Sequence, residues 1–273
     1  YILQHRNYLK IVYFYALKGE NMLKIKRFLK YKRCISCGQE FLDFETRKIN
    51  RTDYICADCL RSEHYSTKNS NVEGKEKSIS FSFEYETSIR AKSLYELKKY
   101  DFICCYDGSI GGLEWKSPIF YSRKAFHNIC KKLNSFARYV GNDCGTHLHV
   151  STPYKVFLQR YQHELFQPIL NVMTSDREKT KKFWGRYFGG YCESDINDFS
   201  RYNAFNTFSS VQTLEYRLLK FRNAEQYIRA ADFCIDITKF LNTNINPETI
   251  NEQKARRLGN VIAKKYREVI KDV

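Results

Sequence analysis

Several absences narrow the chain before any motif is read. No segment reaches the about 18 consecutive apolar residues that a transmembrane helix needs. The early apolar run Ile11 to Leu17 is too short for that. It also lacks a small-residue cleavage site, so a signal peptide is not expected and a cytoplasmic location is. The sequence opens on Tyr1 rather than Met, with Met22 as an alternative start. The phosphate-cradling pattern G-x-x-x-x-G-K-[ST] is missing, so any handling of phosphate falls to metals and arginines. Acid is scarce: 30 Asp and Glu stand against 46 Lys and Arg, a net charge of +16. A balance that basic favours an anionic partner, whether nucleic acid, nucleotide phosphate, a carboxylate substrate or a membrane surface.

What is present describes a folded chain. Hydrophobic residues make up 43% of it and aromatics 16%, which excludes wholesale disorder. Ten cysteines in 273 residues suggest no secreted disulfide scaffold, because that class is short and poor in core. Cys104, Cys105, Cys130, Cys144, Cys192 and Cys234 are scattered in apolar or strand-like contexts and read as buried thiols. The other four have metal spacing: Cys34-x-x-Cys37 and Cys56-x-x-Cys59, with eighteen residues between the inner pair. Each knuckle presents two thiolates on one side, and two knuckles close a tetrahedral site with no open position. A structural Zn²⁺ in a zinc-ribbon-like module is therefore expected. The spacing does not say what such a module binds.

Composition divides the chain into a basic N-terminal segment (1–30), the four-cysteine module (31–65), a polar linker (66–77) and a larger domain (78–273). The basic segment offers an amphipathic helix over 22–30, either a nucleic-acid or membrane contact or simply a solvated face. In the larger domain, alternation predicts strands over 78–87, 101–106, 112–117, 147–151, 201–206 and 211–219. Helices are expected over 91–99, 121–140, from Thr152-Pro153 onward with a kink at Pro168, and over 177–188. Two more close the chain, the first capped by Asn223 with Gln226 three residues on.

Residues two apart on a strand share a face. His147 and His149 therefore lie together, opposite Leu148 and Val150. Alone, they are as well explained by ordinary hydrogen bonding as by metal binding. Three further strands repeat the design: Glu84 with Glu86, Glu114 beside Lys116, and Glu215 with Arg217. Any one could be a solvated face. Together they describe a sheet face holding four carboxylates, two imidazoles and an arginine, which would repel itself without cations. Oxygen-rich ligands with one or two histidines suit Mg²⁺ or Mn²⁺.

These residues fall in a series: Glu84-x-Glu86; Asp107-Gly108-Ser109 followed by Gly112-Leu113-Glu114; Cys144-Gly145-Thr146-His147-Leu148-His149-Val150-Ser151; Arg201-Tyr202-x-Ala204-Phe205-Asn206; and Thr213-Leu214-Glu215-Tyr216-Arg217. Over roughly residues 78–240 the series resembles the amidoligase family of the glutamine synthetase and glutamate–cysteine ligase superfamily. The resemblance implies an α+β domain whose curved antiparallel sheet lines the active site, with helices packed on one face. It implies an ATP-dependent carboxylate–amine ligase working through an acyl phosphate, on small-molecule, peptide or protein substrates. Glu84, His147 and Glu215 would hold the Mg²⁺ (or Mn²⁺) that bridges the ATP phosphates, and Glu86 with Glu114 a second ion. Arg217 and Arg201 would neutralise the transferred phosphoryl group, with Lys116, His149 and Asn206 as nucleotide or substrate contacts. Glu114 is the only clear acid on its strand, a departure from the larger synthetases.

Two other readings use the same residues. One is a Mg²⁺- or Mn²⁺-dependent nuclease. The other is a zinc-ribbon nucleic-acid-binding protein with an inactive ligase-like domain. A cysteine nucleophile at Cys144, paired with His147, leaves the acids without a role.

Overall fold

Short alternating segments pair into antiparallel sheets, and helices cover the apolar side of the largest. The computed structural model describes residues 31–36, 38–42, 46–48, 54–56, 59–60, 79–88, 92–105, 112–142, 144–189, 192–196 and 200–273. The basic segment 1–30, the linker 66–77, Cys37 and the turn around Asp107 lie outside them. In the N-terminal module, β1 (Tyr31–Arg33) pairs with β2 (Glu40–Leu42), and β3 (Thr46–Lys48) with β4 (Tyr54–Cys56), both antiparallel.

The six remaining strands are β5 (Phe81–Thr87), β6 (Ile103–Cys105), β7 (Leu113–Lys116), β8 (Thr146–Ser151), β9 (Phe205–Asn206) and β10 (Thr213–Tyr216). They form one sheet in the order β6-β7-β5-β8-β10-β9, with every neighbouring pair antiparallel. The architecture is α+β.

The helices are α1 (Arg123–Leu133), α2 (Lys155–Arg160), α3 (Gln162–Ser175), α4 (Arg177–Trp184), α5 (Ala224–Asn244) and α6 (Glu252–Val269). Among the described residues no helix is long and apolar enough to cross a membrane.

One face of the sheet carries Phe81, Phe83, Tyr85, Trp115, Leu148, Val150, Leu214 and Tyr216, all buried. Helix α1 closes on it through Phe126, whose ring meets Phe81 edge-on at 5.4 Å and Phe83 at 5.8 Å. Helix α5 follows through Tyr227, 5.7 Å from Phe83, and is tied to β10 by a hydrogen bond from the Tyr216 hydroxyl to the Cys234 carbonyl. Each such side chain contributes about 1.5–3 kcal/mol on burial.

Caps and breaks follow local chemistry. The Asn223 side chain accepts from the Gln226 N–H at 2.8 Å and starts α5. The Gln226 amide does not return to Asn223; its nitrogen donates to the Phe183 carbonyl, fastening α5 to α4. The stretch expected as a helix over 91–99 is a 3-10 helix, Lys92–Tyr100. That over 121–140 is α1 followed by a 3-10 turn, Asn134–Tyr139.

Helix α4 stops at Trp184 because Gly185 adopts φ +84°, with its N–H bonded to the Lys181 carbonyl. The long helix after Pro153 is interrupted at Tyr161, between α2 and α3, and α3 runs on through Pro168. Proline removes the N–H that would bond the carbonyl four residues back, that of Glu164. Gly259 of α6 lies against that same carbonyl, where a Cβ would approach its oxygen to 2.1 Å. The missing side chain lets α6 pack over the point where α3 has lost a bond.

Candidate active site

Register brings the polar side chains together. In an antiparallel pair, residues directly opposite point to the same side. Glu84 faces His147 and Lys116; Glu86 faces Glu114; Glu215 faces His149 and Asn206. All of these lie on the face away from the aromatic core. Arg217 follows Tyr216 and points the same way, its guanidinium donating to Glu215 Oε1 at 2.6 Å.

The cluster is buried: Glu215 is 4% exposed, His147 3% and His149 5%. Glu84 is the most open of its carboxylates, and its Oε1 lies 3.4 Å from His149 Nε2 and 3.8 Å from Lys116 Nζ. Its Oε2 lies 3.6 Å from His147 Nδ1. That same nitrogen is 3.5 Å from Glu215 Oε1, while His147 Nε2 is 3.7 Å from Glu86 Oε1. Burial works against the charge on Glu84, but His149, Lys116 and His147 outweigh it and hold the carboxyl well below the usual range. For Glu215 burial is likewise overcome, by His149, Arg217 and His147. Burial opposes the Arg217 charge too, yet Glu215 and Glu84 raise its pKa. Glu84, Glu215 and Arg217 stay ionised despite their burial.

Neighbouring chain fixes the geometry. Asn206 donates to Glu215 Oε2 at 2.6 Å and accepts from the Phe208 N–H at 2.8 Å, so both ends of its amide serve to orient the carboxylate. The Gly145 N–H donates to Glu86 Oε2. A Cβ at Gly145 would come within 2.3 Å of His147 Nε2, so the turn before β8 must be glycine for His147 to sit as it does. Lys116 sits between Glu114, at 3.3 Å, and Glu84 as an internal counter-charge. Arg201 is exposed and stacks on Tyr202 at 5.3 Å, and Arg217 approaches the same ring at 5.7 Å. The Tyr202 ring lies against both Arg201 and Arg217. Cys144 is buried in the aromatic core, away from the polar face.

Among the described residues, two groups place three ligand atoms within 4.8 Å of one another: Glu84, His149 and Glu215, and Cys34, Cys56 and Cys59. Glu86 and Glu114 belong to neither. The first group fits a hard divalent cation, having two carboxylate oxygens, one imidazole nitrogen and a buried His149 Nε2 with no hydrogen-bond partner. The second fits a soft one. Three thiols converge there, with the Cys56 N–H 3.4 Å from Cys34 Sγ, and burial pushes the Cys56 thiol well up, the neighbouring thiols adding to it. A bound cation would relieve that cost.

Other groups around the polar face were given no role from the sequence. Thr213, two residues before Glu215, lies 3.1 Å from His149 Nδ1, and the same strand alternation could have revealed it. Arg186 donates to the Arg217 carbonyl. Cys192 is buried beside Arg186 and Arg217; burial pushes its thiol to about 11 against their pull. Neither is near the others in sequence, so only the fold could place them. No family model, curated protein or solved structure matches the chain.

Proposed function

We propose that the chain is an ATP-dependent carboxylate–amine ligase of the amidoligase type, with its active site on the polar face of the six-stranded sheet. The observation that carries this reading is the convergence of Glu84, His147, His149, Glu215 and Arg217 into one buried cluster of carboxylates, imidazoles and a guanidinium. Residues of the ordered motifs lie on β5, β7, β8, β9 and β10, while Asp107-Gly108-Ser109 lies outside the described residues. A structural role alone gives no reason to bury this many charges away from the aromatic core, because an apolar replacement is as stable or more so.

Glu84 and Glu215, with an imidazole of β8, would hold Mg²⁺ or Mn²⁺, which would serve the ATP phosphates. The cation, when bound, withdraws charge from the phosphoryl oxygens. Arg217, fixed by Glu215, supplies positive charge where the transferred phosphoryl group builds up negative charge. A substrate carboxylate oxygen attacks the γ-phosphorus, the bond to ADP breaks, and an acyl phosphate results. An amine then attacks the acyl carbon, phosphate leaves, and the amine loses a proton as the amide forms. Glu86, oriented by Gly145, and Glu114, beside Lys116, would hold a second divalent cation on the side where the substrate carboxylate binds. At the other end of the chain, Cys34, Cys56 and Cys59 would hold a structural Zn²⁺, with Cys37, outside the described residues, as the fourth ligand that the spacing supplies. Metal analysis of the purified protein checks that part at one zinc per chain.

The test of the ligase reading is ADP release with Mg²⁺ over a panel of carboxylates and amines, beside Glu215→Gln. Release that needs both substrates and falls at least 100-fold in the variant supports it. If wild type and variant behave alike in every reaction and in ATP binding, the reading fails.

A further inference from the structure

The two imidazoles on β8 are wired differently. His147 has a carboxylate near each ring nitrogen and no hydroxyl partner to choose between them. His149 has one nitrogen committed: its Nδ1 is 3.1 Å from Thr213 Oγ1, while its buried Nε2 makes no hydrogen bond and lies 3.4 Å from Glu84 Oε1.

Ser209 Oγ donates to the Val211 carbonyl at 3.0 Å or the Thr213 carbonyl at 3.3 Å, and lies 3.3 Å from Thr213 Oγ1. Where the Ser209 proton goes to a carbonyl and the Thr213 proton to Ser209 Oγ, Thr213 accepts from His149 and the histidine carries hydrogen on Nδ1. Lys155 holds this loop in place. Its ammonium donates to the Ser209 carbonyl and to the Val211 carbonyl, the latter at 2.7 Å, and reaches Ser209 Oγ at 3.5 Å. With the cation bound, a neutral ring of this tautomer turns its Nε2 lone pair toward the ion, in place of the contact with Glu84 Oε1.

We infer that Thr213 and Ser209, braced by Lys155, are positioning residues that fix the His149 tautomer and make its Nε2 a ligand for the divalent cation, beside Glu84 and Glu215. The inference rests on the reading of the polar face as a divalent-cation site. It moves the imidazole ligand from His147, where the family resemblance puts it, to His149.

The experiment measures Mn²⁺ dissociation constants on the full chain for wild type, Thr213→Val, Thr213→Ser and Glu215→Gln. It also uses nitrogen-15 NMR of the histidine rings in the Mg²⁺-loaded wild type. Losing an outer partner of a metal-bound histidine typically weakens binding about 10–100-fold. Thr213→Val is expected to show that loss, Thr213→Ser to restore affinity to within a few-fold, and His149 to carry its proton on Nδ1. The NMR arm needs no variant to fold. Unchanged Mn²⁺ affinity in Thr213→Val alongside loss in Glu215→Gln, or a proton on Nε2 with Mg²⁺ bound, overturns the inference and leaves the cation site standing. A wild type that binds no Mn²⁺ overturns the cation site and the inference with it.

Discussion

Leu148 and His149 are neighbours on β8, 0% and 5% exposed, and they face opposite sides of one sheet. The side that Leu148 faces is an apolar core: Phe81, Phe83 and Tyr85 meet Phe126, Tyr227 and Phe221 ring against ring, and Leu148, Val150, Leu214 and Tyr216 are buried with them. The side that His149 faces is balanced charge by charge, Glu84 and Glu215 being held ionised by the imidazoles, Lys116 and Arg217. Burial of apolar area is non-directional and tolerates repacking. Burial of ions is directional, and removing one partner strands the other. One face therefore carries stability, and the other carries stored electrostatic demand that a ligand can meet.

The largest effect should come from the aromatic face. Phe83→Ala leaves a cavity among Phe102, Phe120, Phe126 and Tyr227, and a loss of about 3–5 kcal/mol is expected in chemical denaturation. If the two faces are as separate as described, a Phe83→Leu variant, with less volume lost, keeps its Mn²⁺ affinity while losing stability.

The faces should also part in their response to pH. Glu84 and Glu215 have folded pKa values below their ordinary ones. Their contribution is present in full above the unfolded value of about 4.3 and disappears as pH falls through the lower folded values. Metal-free protein should lose stability on the acid side, and Glu84→Gln should flatten that limb. On the helical side, burial raises the Tyr266 phenol to about 12, its bonds to Thr180 and Trp184 working the other way. A raised phenol stabilises fully below its unfolded value of about 10 and is lost as pH climbs toward the folded one, roughly 2–3 kcal/mol at most. Tyr266→Phe should flatten the alkaline limb and leave the acid limb alone; denaturation midpoints across pH check both.

The smallest effect concerns the helical layer alone. Asn223→Ala removes the cap of α5 and should cost about 1 kcal/mol, read as a shift in denaturation midpoint with Mn²⁺ affinity unchanged.

The difference between the faces also explains what the residues disclosed in advance. Strict alternation over 81–87, 146–151 and 213–216 told which side chains share a face, because that depends only on neighbours two apart. Strand order did not show, since pairing Glu84 with His147 depends on contacts 63 residues apart (147 − 84). Tyr161, where the helix after Pro153 is interrupted, carried no such signal, and the Gly259 contact beside Pro168's missing bond comes from a helix 91 positions later (259 − 168). The polar residues at 84, 86, 114, 147, 149 and 215 were legible as a set. Ser209, Lys155 and Arg186 were not, because nothing in their own segments marks them and only folding brings them to the site.

Stability of the full chain against added Mn²⁺ tests most directly whether the polar face is built around a cation. A ligand binding only the folded state at about 100 times its dissociation constant adds about 2.7 kcal/mol. That gain is expected for wild type, to be lost in both Glu84→Gln and Glu215→Gln. No gain in wild type, or an equal gain in both variants, would contradict the account.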